Sequence, residues 1–204
     1  MNIAALPNHN GLADPLWLKL FHGYRHVIAP LRHNGWVTDM ETGGGENYIR
    51  AELGDGTELS IASVRALPVD PNEVTGWTVI RRHVEDVSRH TVLYDSTPGG
   101  PQGHHGNSLI PMFARIDALD ALTFTRRLIV SATHVAAFSG AHNQTAGIET
   151  PGTAVARYFE WTERLVSDEG YRCVWERPES EGFPLALFEN VGNITSVRVT
   201  RSHD

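Results

Sequence analysis

From Leu16 onward apolar residues return every three or four positions: Leu16, Trp17, Leu20, Phe21, Tyr24, Val27, Ile28 and Leu31. That period predicts an α-helix with one buried stripe. Asp14 and Pro15 supply its N-cap and first turn, and Gly35 its C-cap. Pro30 lies inside the pattern and is expected to kink the helix or close it early. The period then shortens to two. Residues 36–41 read as a strand, and "NYIRAEL" and "TELSIAS" as a hairpin. A two-residue turn at Asp55-Gly56 would mix charged and apolar side chains on one face. A three-residue loop, 54–56, pairs Ile49 with Ile61 and Ala51 with Leu59, and leaves Arg50, Glu52 and Ser60 together on the other face. The second register is therefore expected.

The plan recurs further along. Thr150-Pro151 opens a second helix with Val155, Tyr158, Phe159, Leu165 and Val166 as its apolar positions, and Gly170 closes it. Residues 171–176 read as a strand, followed by "FPLALFE", a loop at 190–192 and "NITSVRVT". That loop places Leu185 opposite Val197 and Phe183 opposite Val199. Pro15 and Pro151 are 136 positions apart, as are Gly56 and Gly192. Segments 14–64 and 150–201 thus share one plan, which suggests internal duplication. Between them, 76–86 and 88–96 read as another hairpin, 98–106 as a loop and 108–122 as a helix. Residues 126–132 read as a strand, 133–138 as a short helical turn and 139–149 as polar loop. A helix with one apolar stripe must lie on something apolar, and one-sided hairpins provide it. The expected fold is α+β: antiparallel sheet with helices packed on one face, in two similar helix-plus-meander halves. The division falls at 1–100 and 101–204, as two lobes or one fused domain.

Composition adds limits. The net charge of −7 disfavours a general nucleic-acid binder or an acidic-membrane binder. Lys19 is the single lysine among 17 basic residues, a skew typical of high-GC bacterial coding sequence. Cys173 is the single cysteine, so no disulfide forms within the chain. Its alternation with Tyr171 and Trp175 predicts a buried, inert thiol on one strand face. The N-terminus has no basic segment followed by an apolar run, and no stretch approaches a membrane span. A cytoplasmic location is expected.

Candidate chemistry concentrates in the 94–107 loop. "LYDSTPGGPQGHHGNS" brings Tyr94, Asp95, His104, His105 and Asn107 close in sequence, among glycines that could turn N–H groups toward an anion. It matches no metal-ligand spacing and no phosphate-loop motif. Eleven histidines are present, and His22 and His26 stand four apart, close enough for both rings to reach one metal ion. They lie opposite the apolar stripe, where solvent is expected, and lack a zincin glutamate between them. Asp117 and Asp120 read as surface charges. No nucleophile elbow and no carboxylate pair stands out.

"APLRHNGWVTD", the Asp-Gly hairpin and "TPGTAVARYFEWTERL" together resemble a group of uncharacterised domains common in Streptomyces-type bacteria. Those domains have a helix ending in Gly-Trp, a short meander and a Thr-Pro helix start; Gly35-Trp36 and Thr150-Pro151 carry the match. The resemblance implies no activity and transfers no catalytic residue. The expected role is a non-enzymatic binding protein without cofactor, engaging a protein partner or a second copy through a sheet face or edge. The competing expectation is a small-molecule or metal-dependent enzyme with its site in the 94–107 loop.

Overall fold

The first apolar stripe folds as two helices: α1, Pro15–Gly23, and α2, Arg25–His33. The break falls at Tyr24, six residues before the proline expected to cause it. Tyr24 is fully buried and its hydroxyl donates to the Pro68 carbonyl at 2.7 Å, while Gly23 lies against the Pro71 ring. These tertiary anchors pull the chain out of helical register at the joint. Pro30 is accommodated inside α2, whose end is closed by Gly35, at φ +90°, donating to the Arg32 carbonyl.

The computed structural model describes residues 3–119, 128–136, 140–178, 183–191 and 193–201. Within these, β1 (Val37–Glu41), β2 (Tyr48–Glu52), β3 (Thr57–Ala62), β4 (Thr78–His83) and β5 (His90–Asp95) form an antiparallel meander in chain order. Ile49 faces Ile61 and Ala51 faces Leu59, the register expected from the three-residue loop. Met40, Ile49, Ala51, Leu59, Ile61, Val79 and Tyr94 form the buried face under α1 and α2. The opposite face is tied by ion pairs, Arg50 to Glu41 at 2.9 Å and Arg82 to Glu58 at 2.5 Å.

After α3 (Leu109–Asp117) come β6 (Leu128–Ala136), β7 (Gly140–Glu149), α4 (Pro151–Ser167), β8 (Arg172–Glu176), β9 (Leu185–Asn190) and β10 (Asn193–Arg201). The second sheet runs β7-β6-β10-β9-β8. Counted from its helix, this half repeats the first: helix, three-stranded meander, then two more strands on the far side. The last two are supplied from before the helix instead of after β10, so the halves share an arrangement but differ by a circular shift in chain order.

Three expectations are corrected here. The helical turn expected at 133–138 and the polar loop at 139–149 are the end of β6 and all of β7; residues 137–139 lie outside the described residues. Segment 140–149 has no apolar alternation to announce a strand, and its pairing with β6 supplies the order. The β9–β10 register is shifted by one residue, with Ala186 opposite Val197 and Arg198 opposite Leu185. Ala186, Phe188, Val197 and Val199 are therefore the buried set, and Leu185 lies half-buried on the other face. Finally, a bulge between Cys173 and Trp175 sends them to opposite faces of β8, an edge strand, and Cys173 is exposed.

The halves meet through their helices, with α4 packed against both α2 and α3. Asp117, expected at the surface, is 2% exposed. From the end of α3 it accepts from the Thr153 N–H at 2.9 Å, the Thr153 hydroxyl at 2.8 Å and the Thr150 hydroxyl. Its other oxygen accepts from the Asn34 amide at 2.9 Å. Asp117 thus caps α4 from another helix. Asp120 lies outside the described residues. Glu160 on α4 returns the favour: its Oε1 accepts from the N–H groups of Leu109 and Ile110 and the Ser108 hydroxyl, all within 3.1 Å. Glu160→Gln keeps one acceptor oxygen but loses the charge at the α3 N-terminus. A loss of about 1 kcal/mol in urea unfolding is expected.

Candidate functional site

The 94–107 loop gathers its residues for its own folding. Asp95 accepts from the N–H and hydroxyl of Thr97, at 3.0 and 2.6 Å, and its backbone N–H donates to the Gln102 side chain. Gly100 lies so close that an added Cβ would be 2.5 Å from the Asp95 carboxylate. The Asn107 carbonyl accepts from the Trp77 indole at 2.9 Å, and the Ser96 hydroxyl links the Trp77 N–H to the Gly106 carbonyl. Tyr94 is buried in the first core and stacks on His105 with centroids 6.3 Å apart; His104 lies 4.0 Å from His105. Three rings are thus brought together, while the Asp95 carboxylate is engaged by Thr97 and Asn107 is held through its backbone carbonyl by the Trp77 indole.

The helical histidines fall in three environments. His22 ends α1 and is exposed. His26 begins α2, half-buried between Tyr24 and Trp77 at 5.9 and 6.2 Å, and burial brings it down to about 4. His33 is 2% exposed and stacks on Phe183 at 6.0 Å. Neither of its ring nitrogens has a partner among the described residues. Burial, with Arg32 beside it, lowers His33 to about 4. The solvent-facing placement expected for His26 is therefore corrected: α2 is enclosed by Trp77 on one side and the second half on the other. Among the described residues no three His, Cys, Asp or Glu side chains converge as metal ligands.

What sequence patterning missed is a groove of about 970 Å³ between the N-terminal segment, the outer side of α1 and α2, and residues 176–178 at the end of β8. Its apolar surface comes from Ile3, Leu6, Trp17, Leu18, Phe21 and Ile28. Asp39 fixes the floor: it accepts from the Trp17 indole N–H at 2.9 Å and pairs with His9 at 3.0 Å, and Phe21 stacks on the indole at 4.4 Å. The N-terminal segment is tied down by two-way bonding, Ala4 N–H to the Arg32 carbonyl and the Arg32 guanidinium to the Ala4 carbonyl. At the other end Arg25 grips Glu176 through two bonds of 2.8 and 2.9 Å, joining the halves, and its guanidinium lies over Phe159.

Behind Glu176 lie Tyr158 and Cys173. The Tyr158 hydroxyl is 3.4 Å from the Glu176 carboxylate, and burial, with that carboxylate, drives the phenol well above its ordinary value. Partial burial and then Glu176 also push the Cys173 thiol up. Both groups are held protonated, which suits a structural corner better than a nucleophile. No protein-family model, curated protein or solved structure matches this chain. The site must be read from its own chemistry. Large open grooves at the meeting of two lobes, apolar with a few polar groups at the rim, are where binding sites concentrate. No helix among the described residues is long and apolar enough to cross a membrane.

Proposed function

We propose that the chain is a non-catalytic binding protein that holds a segment of a protein partner in the groove beside α1 and α2. One observation carries the reading: the groove leaves Leu6 and Leu18 in water at 55% and 38% exposure, beside a floor fixed by Asp39. Exposed apolar surface lining a concavity marks a contact site. The rival site in the 94–107 loop is less favoured because Asp95 is engaged within the loop. The β8 sheet edge is also less favoured as a contact surface, since its bulge blunts it against pairing.

The test is photo-crosslinking from a photoreactive amino acid placed at Leu18, with the same residue at exposed Val84 in the β4–β5 turn as control. A discrete protein adduct from position 18 and none from position 84 supports the reading. An adduct at twice the chain mass identifies the partner as a second copy. Equal background at both positions overturns it.

A further inference from the structure

We infer that the outer edge of β7 pairs antiparallel, about a two-fold axis, with the same edge of a second copy of the chain. The pairing would join two five-stranded sheets into one continuous sheet. β7 ends the strand order β7-β6-β10-β9-β8, and among the described residues no strand lies on its outer side. Its ladder with β6 shifts register between Ile129 and Ser131, opposite residues 146–147, so 140–145 stay in regular register with 131–136. In such a ladder alternate residues turn N–H and C=O outward, so this stretch offers about three of each to a new neighbour. Asn143, Gln144 and Thr145 are all exposed.

The other three sheet edges are blunted. β1 has five residues, carries Asp39 and Glu41, and its Met40 N–H is taken by the Asp39 carboxylate at 2.7 Å. On β5 the Leu93 carbonyl accepts from Arg115 at 3.3 Å, and Gln102 bonds both the N–H and the carbonyl of Asp95 at 2.9 Å. β8 has five residues, a bulge, and Arg172 and Glu176 at its ends. These are the usual protections of an edge: shortness, charge, irregularity and cover. β7 is ten residues long, and its one carboxylate, Glu149, stands at its end and is engaged by Arg157.

Composition selects a second copy as the partner. Across a two-fold axis each side chain of 140–145 meets one from the same stretch. Gly, Ala, His, Asn, Gln and Thr include no Asp, Glu, Lys or Arg to repel its own image. In a chain of net charge −7 two copies repel, and an uncharged seam is where they can approach. The same residues are weak strand formers held in place by β6, and a second neighbour would add the ladder bonds that their side chains do not favour. The seam lies across the sheet from β8, about 19 Å away, so it stands apart from the groove.

Sedimentation velocity over a concentration series tests this. A seam of one strand pair is a small interface, so wild type should pass from monomer to dimer at roughly tens of micromolar. Asn143→Lys with Gln144→Lys, and Asn143→Glu with Gln144→Glu, should each weaken the dimer at least about tenfold, and an equimolar mixture of the two should restore it. Both side chains are exposed, so dilute samples of all three proteins should melt within about 2 °C of one another. A wild type that stays monomeric about tenfold above that range overturns the inference, as does a dimer that either pair of charges leaves unchanged. Loss in both variants without rescue in the mixture overturns the two-fold pairing, and so does growth beyond the dimer, which marks a head-to-tail contact. A monomer that binds a labelled peptide of residues 140–149 overturns the second copy in favour of a foreign strand. The Leu18 crosslink reports on the groove separately, so either reading can fail without the other.

Discussion

Asp117→Ala is expected to lower stability by about 3–4 kcal/mol, a large loss for a single polar substitution. The carboxylate is 2% exposed and accepts from two hydroxyls, one backbone N–H and one side-chain amide. Alanine removes the acceptors but leaves the Thr153 N–H and hydroxyl buried and the Thr150 and Asn34 donors half-buried, and an orphaned buried donor costs its full desolvation. It also removes a negative charge from the N-terminus of α4, where the helix dipole favours one. Water cannot easily fill in, because Gly152 already packs against the carboxylate: a Cβ there would lie 2.5 Å from Asp117 Oδ1 and 3.0 Å from Asn34 Nδ2. At about 2–4 °C per kcal/mol for a chain of this size, the melting temperature should fall by roughly 10 °C. Asp117→Asn, retaining one acceptor, should lose about half as much. A melting point for Asp117→Ala within 2 °C of wild type would show that the three-helix junction is not held this way.

That junction also shows where the sequence stops being readable. Thr150-Pro151 announces a helix start, and it is one. The acceptor that completes the cap comes from Asp117, 36 residues before Thr153, and nothing local to Asp117 distinguishes it from a surface charge. The first sheet was legible because Ile49, Ala51, Leu59 and Ile61 alternate cleanly with charged neighbours, so only one register keeps grease and charge apart. The β9–β10 hairpin lacked that contrast. Leu185 and Leu187 alternate with Ala186 and Phe188, both faces look apolar, and nothing in the pattern distinguishes the two registers. In β7 the sequence "GAHNQTAGIE" has few strand-favouring residues, so its pairing depends on β6. The groove has no local signature at all. Its walls come from residues 3–6, two helices and the end of a strand far along the chain, and only assembly brings them together. The 94–107 loop is rich in residue types that can carry chemistry, yet the same types serve to fold it.

Acid should destabilise the protein well above the carboxylate range, because two histidines are buried neutral. His26 and His33 are each lowered from 6.5 to about 4, burial being the main cause in both. The unfolded chain therefore binds more protons than the folded one between pH 6.5 and 4, and stability rises with pH across that window. The full value is present above about pH 7 and is lost progressively as pH falls through 6.5 toward 4. At pH 5 each histidine accounts for about 2 kcal/mol of loss. For His33 the cause is visible in the geometry: the ring is 2% exposed, among the described residues neither nitrogen has an acceptor for a new proton, and the Arg32 charge opposes one. His33→Phe keeps the stack on Phe183 and removes the group that titrates. Its stability at pH 7.5 should stay within about 1 kcal/mol of wild type, while the loss between pH 7.5 and 5 shrinks by about 2 kcal/mol. His26→Phe, beside Tyr24 and Trp77, should remove a similar share. Denaturant titrations at the two pH values decide it. If both variants lose as much at pH 5 as the parent, the acid sensitivity belongs to other groups and the two imidazoles are not buried neutral. If only His33→Phe flattens the profile, the half-buried ring of His26 reaches water when it is protonated, and the window is set at the end of α2 alone.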